Sequence, residues 1–323
     1  MSQPLASLSL DLDNKWSYMK THGDAGWDQF PSYLDLVVPR VLSMLEERGL
    51  KITFFIVGQD AALDQNHAAL RSIADAGHEI GNHSFHHEPW LHLYSDSQLA
   101  EEFDRAEQAI FSATGQRQIG FRGPGYSFSR EVHQELVRRG YAYDASTFPT
   151  FVGPLARAYY FFTARLTREE REDRKKLFGS WKEGFRPLKP YFLNGLDGPL
   201  LEIPVTTMPV FRAPIHLSYL LYLAGYSQAL AKTYLRFALT MCRLRGVAPS
   251  FLLHPLDFLG GDDEPDLAFF PAMHQPGKTK CAFAGWALDL LAARFEIVPM
   301  REHARRLGAS PPEAAERTLA GVG

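Results

Sequence analysis

Apolar runs of strand length alternate with amphipathic helical patterns along most of this chain, and several of the runs end on an acidic or basic residue or a histidine. That alternation calls for a largely parallel sheet, because parallel neighbours must be joined by a crossover, usually a helix. Leu8 to Asp13 reads as the first strand, Ile52 to Val57 as the second and Glu79 to His83 as the third, with Ile119 to Arg122 and Tyr141 to Ser146 after them. Leu200 to Thr206, Pro249 to His254 and Glu296 to Met300 have the same character. The spacing predicts a helix over Ser32 to Arg48, with Leu34, Val37, Val38, Val41, Leu42 and Leu45 on one face. Further helices are expected over about 66–75, from a Ser95 cap to about Ser112, over Arg130 to Arg139, and over about 227–243 and 285–293. A chain of 323 residues with this rhythm fits one α/β barrel. The rhythm breaks at about 148–195, which reads as an insertion into a single domain over 1–309, and 310–323 reads as a disordered tail.

Composition narrows the function. The net charge of −3 and a pI near 6.5 give no electrostatic footprint for nucleic acid, so no nucleic-acid partner is expected. Two distant cysteines, Cys242 and Cys281, read as free thiols rather than a disulfide framework. No apolar stretch is long enough to span a bilayer, and the first residues lack a basic and apolar leader, so a cytoplasmic protein is expected.

The chemistry gathers at strand ends, where barrel enzymes place their active sites. Asp11 and Asp13 alternate on the first strand and therefore point to one side, and an acid that ends a buried run is costly without a partner. His83 and His87 are four apart, so a helical turn or tight loop aims both imidazoles at one point; His86 competes with His87 for that role. Arg122, Asp144 and His254 end three further strands. Two histidines and a carboxylate can hold a divalent ion with a position left for water, and a second acid can handle a proton.

In chain order, Asp11-Leu12-Asp13, His83-Ser84-Phe85-His86-His87, Arg122-Gly123-Pro124-Gly125-Tyr126, Tyr143-Asp144-Ala145-Ser146 and Leu253-His254-Pro255 resemble the motifs of the polysaccharide deacetylase family, carbohydrate esterase family 4 with its NodB-homology domain. The resemblance implies a distorted barrel of about seven strands and a metal held by Asp13, His83 and His87. It favours His87 over His86, and the nitrogen and oxygen donors suit zinc or a neighbour such as cobalt, nickel or manganese. It makes Asp11 the general base, Arg122 its partner and His254 the general acid. Gly125 and Tyr126 would stand where the family places oxyanion donors, Asp144 would orient His254 or line the sugar pocket, and Trp90 is a candidate for stacking on a sugar face. Leu12 between the two acids and the Arg-Gly-Pro-Gly-Tyr form of the third motif depart from the commonest pattern and bear on substrate more than on metal.

The implied activity is removal of an N-acyl group, acetyl or formyl, from an amino sugar in a glycan or lipid-linked glycan. A hydrolase of small cyclic amides or imides on the same barrel, and a carbohydrate-binding relative without turnover, are the alternatives. Aromatic and basic residues interleave over 159–181, which suits peripheral contact with an anionic membrane, whereas Glu169, Glu170, Glu172 and Asp173 suit an ordinary solvated helix. Leu217 to Gly225, apolar and rich in tyrosine, is a second candidate docking surface.

Overall fold

The computed structural model describes residues 3–151 and 181–309. Its frame is a sheet of nine strands: β1 (Leu5–Leu12), β2 (Thr53–Ile56), β3 (Glu79–Asn82), β4 (Gly120–Phe121), β5 (Tyr143–Asp144), β6 (Tyr191–Phe192), β7 (Leu201–Glu202), β8 (Ser250–Leu253) and β9 (Glu296–Val298). The order is β6-β7-β5-β4-β3-β2-β1-β8, with β9 also pairing β1. Strands β1 to β5, β7 and β8 run parallel as a set of seven; β9 joins β1 in the same sense, and β6 is the antiparallel edge. Between the two ends of this path the ladder is replaced by single contacts. The Thr206 N–H donates to the Ser250 carbonyl at 3.0 Å and the Ser250 N–H to Thr206 Oγ1 at 2.7 Å. The ring is therefore curled and nearly shut rather than regular, which is the distorted barrel expected from the sequence.

Strand β1 explains how the sheet carries two different faces. Successive side chains on a strand point to opposite sides, so its Leu-Ala-Ser-Leu-Ser-Leu-Asp-Leu sequence sorts apolar from polar residues. Ala6, Leu8, Leu10 and Leu12 join the large core under the outer helices, together with Phe54 and Ile56 of β2. Ser7, Ser9 and Asp11 are equally buried but meet polar partners: His303 for Ser7, and Arg122 for Ser9 and Asp11. A parallel sheet covered on both faces normally shows near-continuous apolar runs. The alternating polar stripe thus marks the interior of the barrel as a place for chemistry.

Ten helices of the described residues matter to the layout: α1 (Lys15–His22), α2 (Leu34–Glu46), α3 (Gly58–Ala61), α4 (Asp64–Asp75), α5 (Asp96–Thr114), α6 (Arg130–Arg138), α7 (Leu217–Tyr226), α8 (Gln228–Arg245), α9 (Gly277–Ala292) and α10 (Met300–Arg306). The face read for α2 is buried except for the partly exposed Leu42, and Leu99, Phe103, Ala106 and Ile110 of α5 all point inward. The segment read as an apolar docking patch is α7, and its Leu217, Leu220 and Leu221 are buried in the core, which leaves Tyr222 and Tyr226 outside. Helix α9 starts well before residue 285, and its first half carries Lys280, buried at 1% exposure, which breaks the apolar period there and hides it in the sequence. Most of the segment read as an insertion, including all but the last residue of the membrane contact expected at 159–181, lies outside the described residues, as does 310–323.

Helix α5 begins with a capping box: the Ser95 hydroxyl accepts from the Gln98 N–H and the Gln98 side chain accepts from the Ser95 N–H. Two otherwise orphaned donors are satisfied at an exposed site, so a mutation there tests local order alone. Replacing Ser95 with alanine is expected to cost about 1 kcal/mol of stability with no change in the cooperativity of unfolding, as read from urea denaturation.

Candidate active site

The polar ends of β1, β3, β4 and β8 open into one cavity of about 340 Å³, lined among others by Asp11, Asp13, His83, His87, Gly125, Tyr126 and His254. Sequence positions spread over more than two hundred residues meet there because parallel strands carry all their C-terminal ends to the same rim.

Asp13, His83 and His87 form the tightest group. His83 Nε2 stands 3.3 Å and His87 Nε2 3.0 Å from the same atom, Asp13 Oδ1. The loop that brings the imidazoles together is bent by left-handed backbone at Ser84 (φ 60°) and His87 (φ 56°), so the pair is aimed by a loop rather than by a helical turn. His83 Nδ1 lies 2.6 Å from the Arg122 carbonyl oxygen and must donate to it. In the neutral ring Nε2 then carries a lone pair, directed at a carboxylate oxygen that accepts no well-formed hydrogen bond of its own. Lone pairs converging at these separations need a cation among them, and atoms bound to one ion at roughly 2.0–2.2 Å in tetrahedral geometry stand a little over 3 Å apart. These residues fit a divalent metal.

The surroundings support the same arrangement. Tyr18 donates its hydroxyl to Asp13 Oδ2 at 3.3 Å, and Tyr33 donates to the Asp13 carbonyl at 2.6 Å. Burial works to raise the Asp13 carboxyl, but His87 and His83 outweigh it and hold the group well below the ordinary carboxylate range. Burial likewise opposes charge on His83, and Asp11 with Asp13 more than offsets that, so its imidazole is raised. His86 is turned away: its Nδ1 pairs with Glu102, and Nε2 faces Arg105.

Asp11 stands beside this group and is held by Arg122. Arg122 Nη1 donates to Asp11 Oδ1 at 2.7 Å and to Ser9 Oγ at 3.0 Å, while Nε donates to the Ala145 carbonyl at 2.9 Å. The guanidinium lies 4.5 Å from the centre of the Phe55 ring and has no solvent exposure. Next to it Gly123 admits no side chain, since a Cβ would lie 1.9 Å from the Ser127 carbonyl oxygen. Across the cavity, Ser218 Oγ and His254 Nδ1 are 3.0 Å apart, which leaves His254 Nε2 as the nitrogen for other work.

Three expectations need correction. Asp144 does not reach His254 or the cavity wall; it faces the other way and pairs with His133 at 3.0 Å. Trp90 is not among the lining residues, because the chain turns at Pro89, which does line the cavity, into a 3-10 turn at Leu91–Leu93 with Leu91 buried. The Tyr126 N–H donates to the Gly123 carbonyl at 3.0 Å, so this amide is committed within its own turn, although Gly125 and the Tyr126 ring wall the cavity.

Among the lining residues that the sequence did not mark as part of the site are Ser218, at the start of α7, and His216 just before it. His216 packs against Phe148, with ring centres 5.6 Å apart, and its centre is 6.1 Å from that of His254. Burial, then the charge of His254, pushes His216 down to about 3. An unfolded histidine takes up its proton near pH 6.5, well before this folded one does, so the group withdraws stability as pH falls from about 6.5 toward 3. His216→Gln should therefore gain about 3 kcal/mol relative to the parent chain between pH 7 and pH 4, read as the difference of two urea-unfolding series. A difference that stays constant with pH would show that His216 titrates normally.

Residues 24–143 match the model of the family "Polysaccharide deacetylase". The peptidoglycan-N-acetylmuramic acid deacetylase PdaA of Bacillus subtilis is 35% identical over 104 residues, which are 32% of this chain and 38% of that protein. The match thus spans little more than a third of the relative's length. A crystal structure of a Mycobacterium smegmatis protein assigned as a polysaccharide deacetylase shares the fold with a TM-score of 0.58 at 20% identity, covering 96% of this chain and 97% of the other. A crystal structure of the Puue allantoinase does so with a TM-score of 0.54 at 16% identity, covering 94% and 90%. At such identities the two structures speak for fold alone. The family model thus matches a little over a third of the chain, from ahead of β2 to the start of β5, and it is this part of the curled barrel that is similar to the polysaccharide deacetylase family.

Proposed function

We propose that this chain is a metal-dependent hydrolase that removes an N-acyl group, acetyl or formyl, from an amino sugar in a glycan or lipid-linked glycan. The observation that carries the reading is the shared cavity: Asp13, His83 and His87 converge on one point while a second acid, Asp11, and a second-side histidine, His254, face the same space. Relatives named as deacetylases of peptidoglycan amino sugars support the substrate class.

A divalent ion held by Asp13, His83 and His87, zinc by its nitrogen and oxygen donors, supplies Lewis acidity toward the acyl carbonyl and lowers the pKa of water. Asp11 takes the proton of the attacking water. Its Oδ1 is pinned by Arg122, so the carboxylate presents Oδ2 in a fixed direction, and the buried guanidinium keeps it from turning away. His254 gives a proton to the departing amine from Nε2, with its ring angle set by Ser218 at Nδ1 and by the backbone bond from its N–H to the Asp257 carboxylate at 2.8 Å. An amine is a poor leaving group unless protonated, so this step decides whether amides turn over. Gly125, Tyr126 and Phe148 wall the acyl end of the cavity, with the Tyr126 and Phe148 rings stacked 4.9 Å apart. Contact with an anionic membrane through 159–181 would bring a lipid-linked sugar within reach, and it rests on the basic and aromatic composition of that segment.

Alanine at Asp13, His83 or His87 is expected to remove bound metal and activity together, measured by metal analysis and by release of acetate or formate from N-acyl amino sugars. Full metal occupancy in His87→Ala would overturn the ligand assignment. Asp11→Asn, which keeps an oxygen for Arg122 but not the charge, should keep the metal and the fold at lower stability and lose roughly 10²- to 10⁴-fold in rate, and His254→Ala should lose most on substrates with poor leaving groups. Amide turnover at the parent rate in both variants would sink the acid and base roles. A screen in which only small cyclic amides are cleaved would replace the sugar substrate with the alternative one.

A further inference from the structure

On the far side of the Arg122 motif a second group of ligand-type side chains is sealed in the protein. His133 of α6, Asp144 at the end of β5 and Glu202 at the end of β7 each offer one atom, and the three atoms lie within 4.8 Å of one another. Asp144 and Glu202 have no solvent exposure and His133 has 7%.

The two carboxylates are anchored in the same way. Asp144 Oδ1 accepts the Ala145 N–H at 2.8 Å and the Ser146 hydroxyl, while Oδ2 faces His133 Nε2 at 3.0 Å. Glu202 Oε1 accepts the Thr147 N–H at 3.0 Å and the Thr147 hydroxyl. Glu202 Oε2 is buried and no donor reaches it. One oxygen of each acid is therefore fixed by an amide and a hydroxyl, and the other is turned inward beside an imidazole. Oriented ligands with occupied outer partners are the form that metal sites take. Among the described residues neither acid has a lysine or arginine ion-pair partner. Two buried carboxylates this close to each other call for a cation or a proton between them.

We propose that His133, Asp144 and Glu202 bind a second divalent cation, zinc by donor set, at a site separate from Asp13, His83 and His87. Three protein donors leave one position of a tetrahedral ion for water. The site bears on the active centre through the backbone: Ser146 Oγ accepts the Gly123 N–H at 2.8 Å, and the Ala145 carbonyl accepts from Arg122 Nε. A cation on Asp144 would fix the strand end that holds Arg122 and Gly123. The competing occupant is a proton shared between Glu202 and Asp144.

The full-length protein, stripped with a chelator and dialysed against buffered zinc, distinguishes the two by metal analysis. About two zinc ions per chain are expected for the parent protein and about one for Glu202→Gln, in which the amide keeps an oxygen for Thr147 and turns its NH₂ toward Asp144 Oδ2. The amide thus fills the gap with a hydrogen bond and leaves a folded chain, checked by circular dichroism; His133→Gln is the second variant and should bind about one ion as well. His87→Ala reports on the other site, and it should also retain about one ion. One ion in the parent and none in His87→Ala would overturn this proposal and leave the shared proton. Loss of an ion in Glu202→Gln but none in His87→Ala would keep it and overturn the Asp13 site instead.

Discussion

A guanidinium with no solvent exposure sits at the middle of this molecule, and much of the interior is arranged to compensate it. Arg122 carries a full charge into a place where water cannot reach, at a cost of several kcal/mol that only close partners offset. Asp11 supplies the opposite charge, Ser9 and the Ala145 carbonyl take further N–H groups, and the Phe55 ring lies against the cation. Those partners come from β1, β2 and the turn after β5, so the requirement fixes three strands relative to β4. Truncating either member of the Arg122 and Asp11 pair would strand a buried charge, a loss of about 3–5 kcal/mol. The same interaction gives Asp11 the fixed direction that the proposed role of proton acceptor needs, so stability and the proposed chemistry draw on one contact.

The alternation on β1 shows how a parallel barrel accommodates this polarity. Leucines on one side seal the outer core, while Ser7, Ser9, Asp11 and, just past the strand, Asp13 line the other. The interior is a ladder of polar pairs running from His303 at one end through Arg122 to the imidazoles of His83 and His87. The rungs at Ser7, Ser9 and Asp11 are satisfied by a neighbouring strand or helix, which is why this part of the polar stripe can be buried, while Asp13 Oδ1 at the end of the ladder has no hydrogen-bond partner.

Elements with a clear period and a cap were legible in the sequence: α2 and α5 by their apolar faces, the start of α5 by its Ser95 cap, and the strands by β-type runs ending in polar residues, whereas the Gln98 half of the Ser95 capping box is seen only in the structure. Helix α1 escaped because Trp16, Ser17 and Tyr18 are consecutive buried residues, with no amphipathic period to read. Helix α7 is apolar on most sides, so its sequence resembled a surface patch until packing chose Leu217, Leu220 and Leu221 for the core. At the site, the residues that end strands could be named from their position, since parallel strands deliver them to one rim. Ser218 and His216 could not, because a helix start from another layer brings them in. Asp144 ends a strand too, yet β5 lies five places from β8 in the sheet order, and its acid turns toward α6.

Strand β1 has three partners, β2, β8 and β9, and two of them arrive late: β8 begins at Ser250 and β9 at Glu296. During synthesis the N-terminal strand can pair at once with β2, but its other edge stays open until residues near 250 have left the ribosome. At about 5–20 residues per second that delay is on the order of ten to fifty seconds. For that interval a backbone edge and a stripe of unpaired serines and aspartates are exposed together. The leucine-rich side of such an edge invites pairing with other nascent chains, whereas the acidic side repels them. Asp11 of β1 and Asp13 just past it thereby put charge on the open edge before there is any cavity for them to serve.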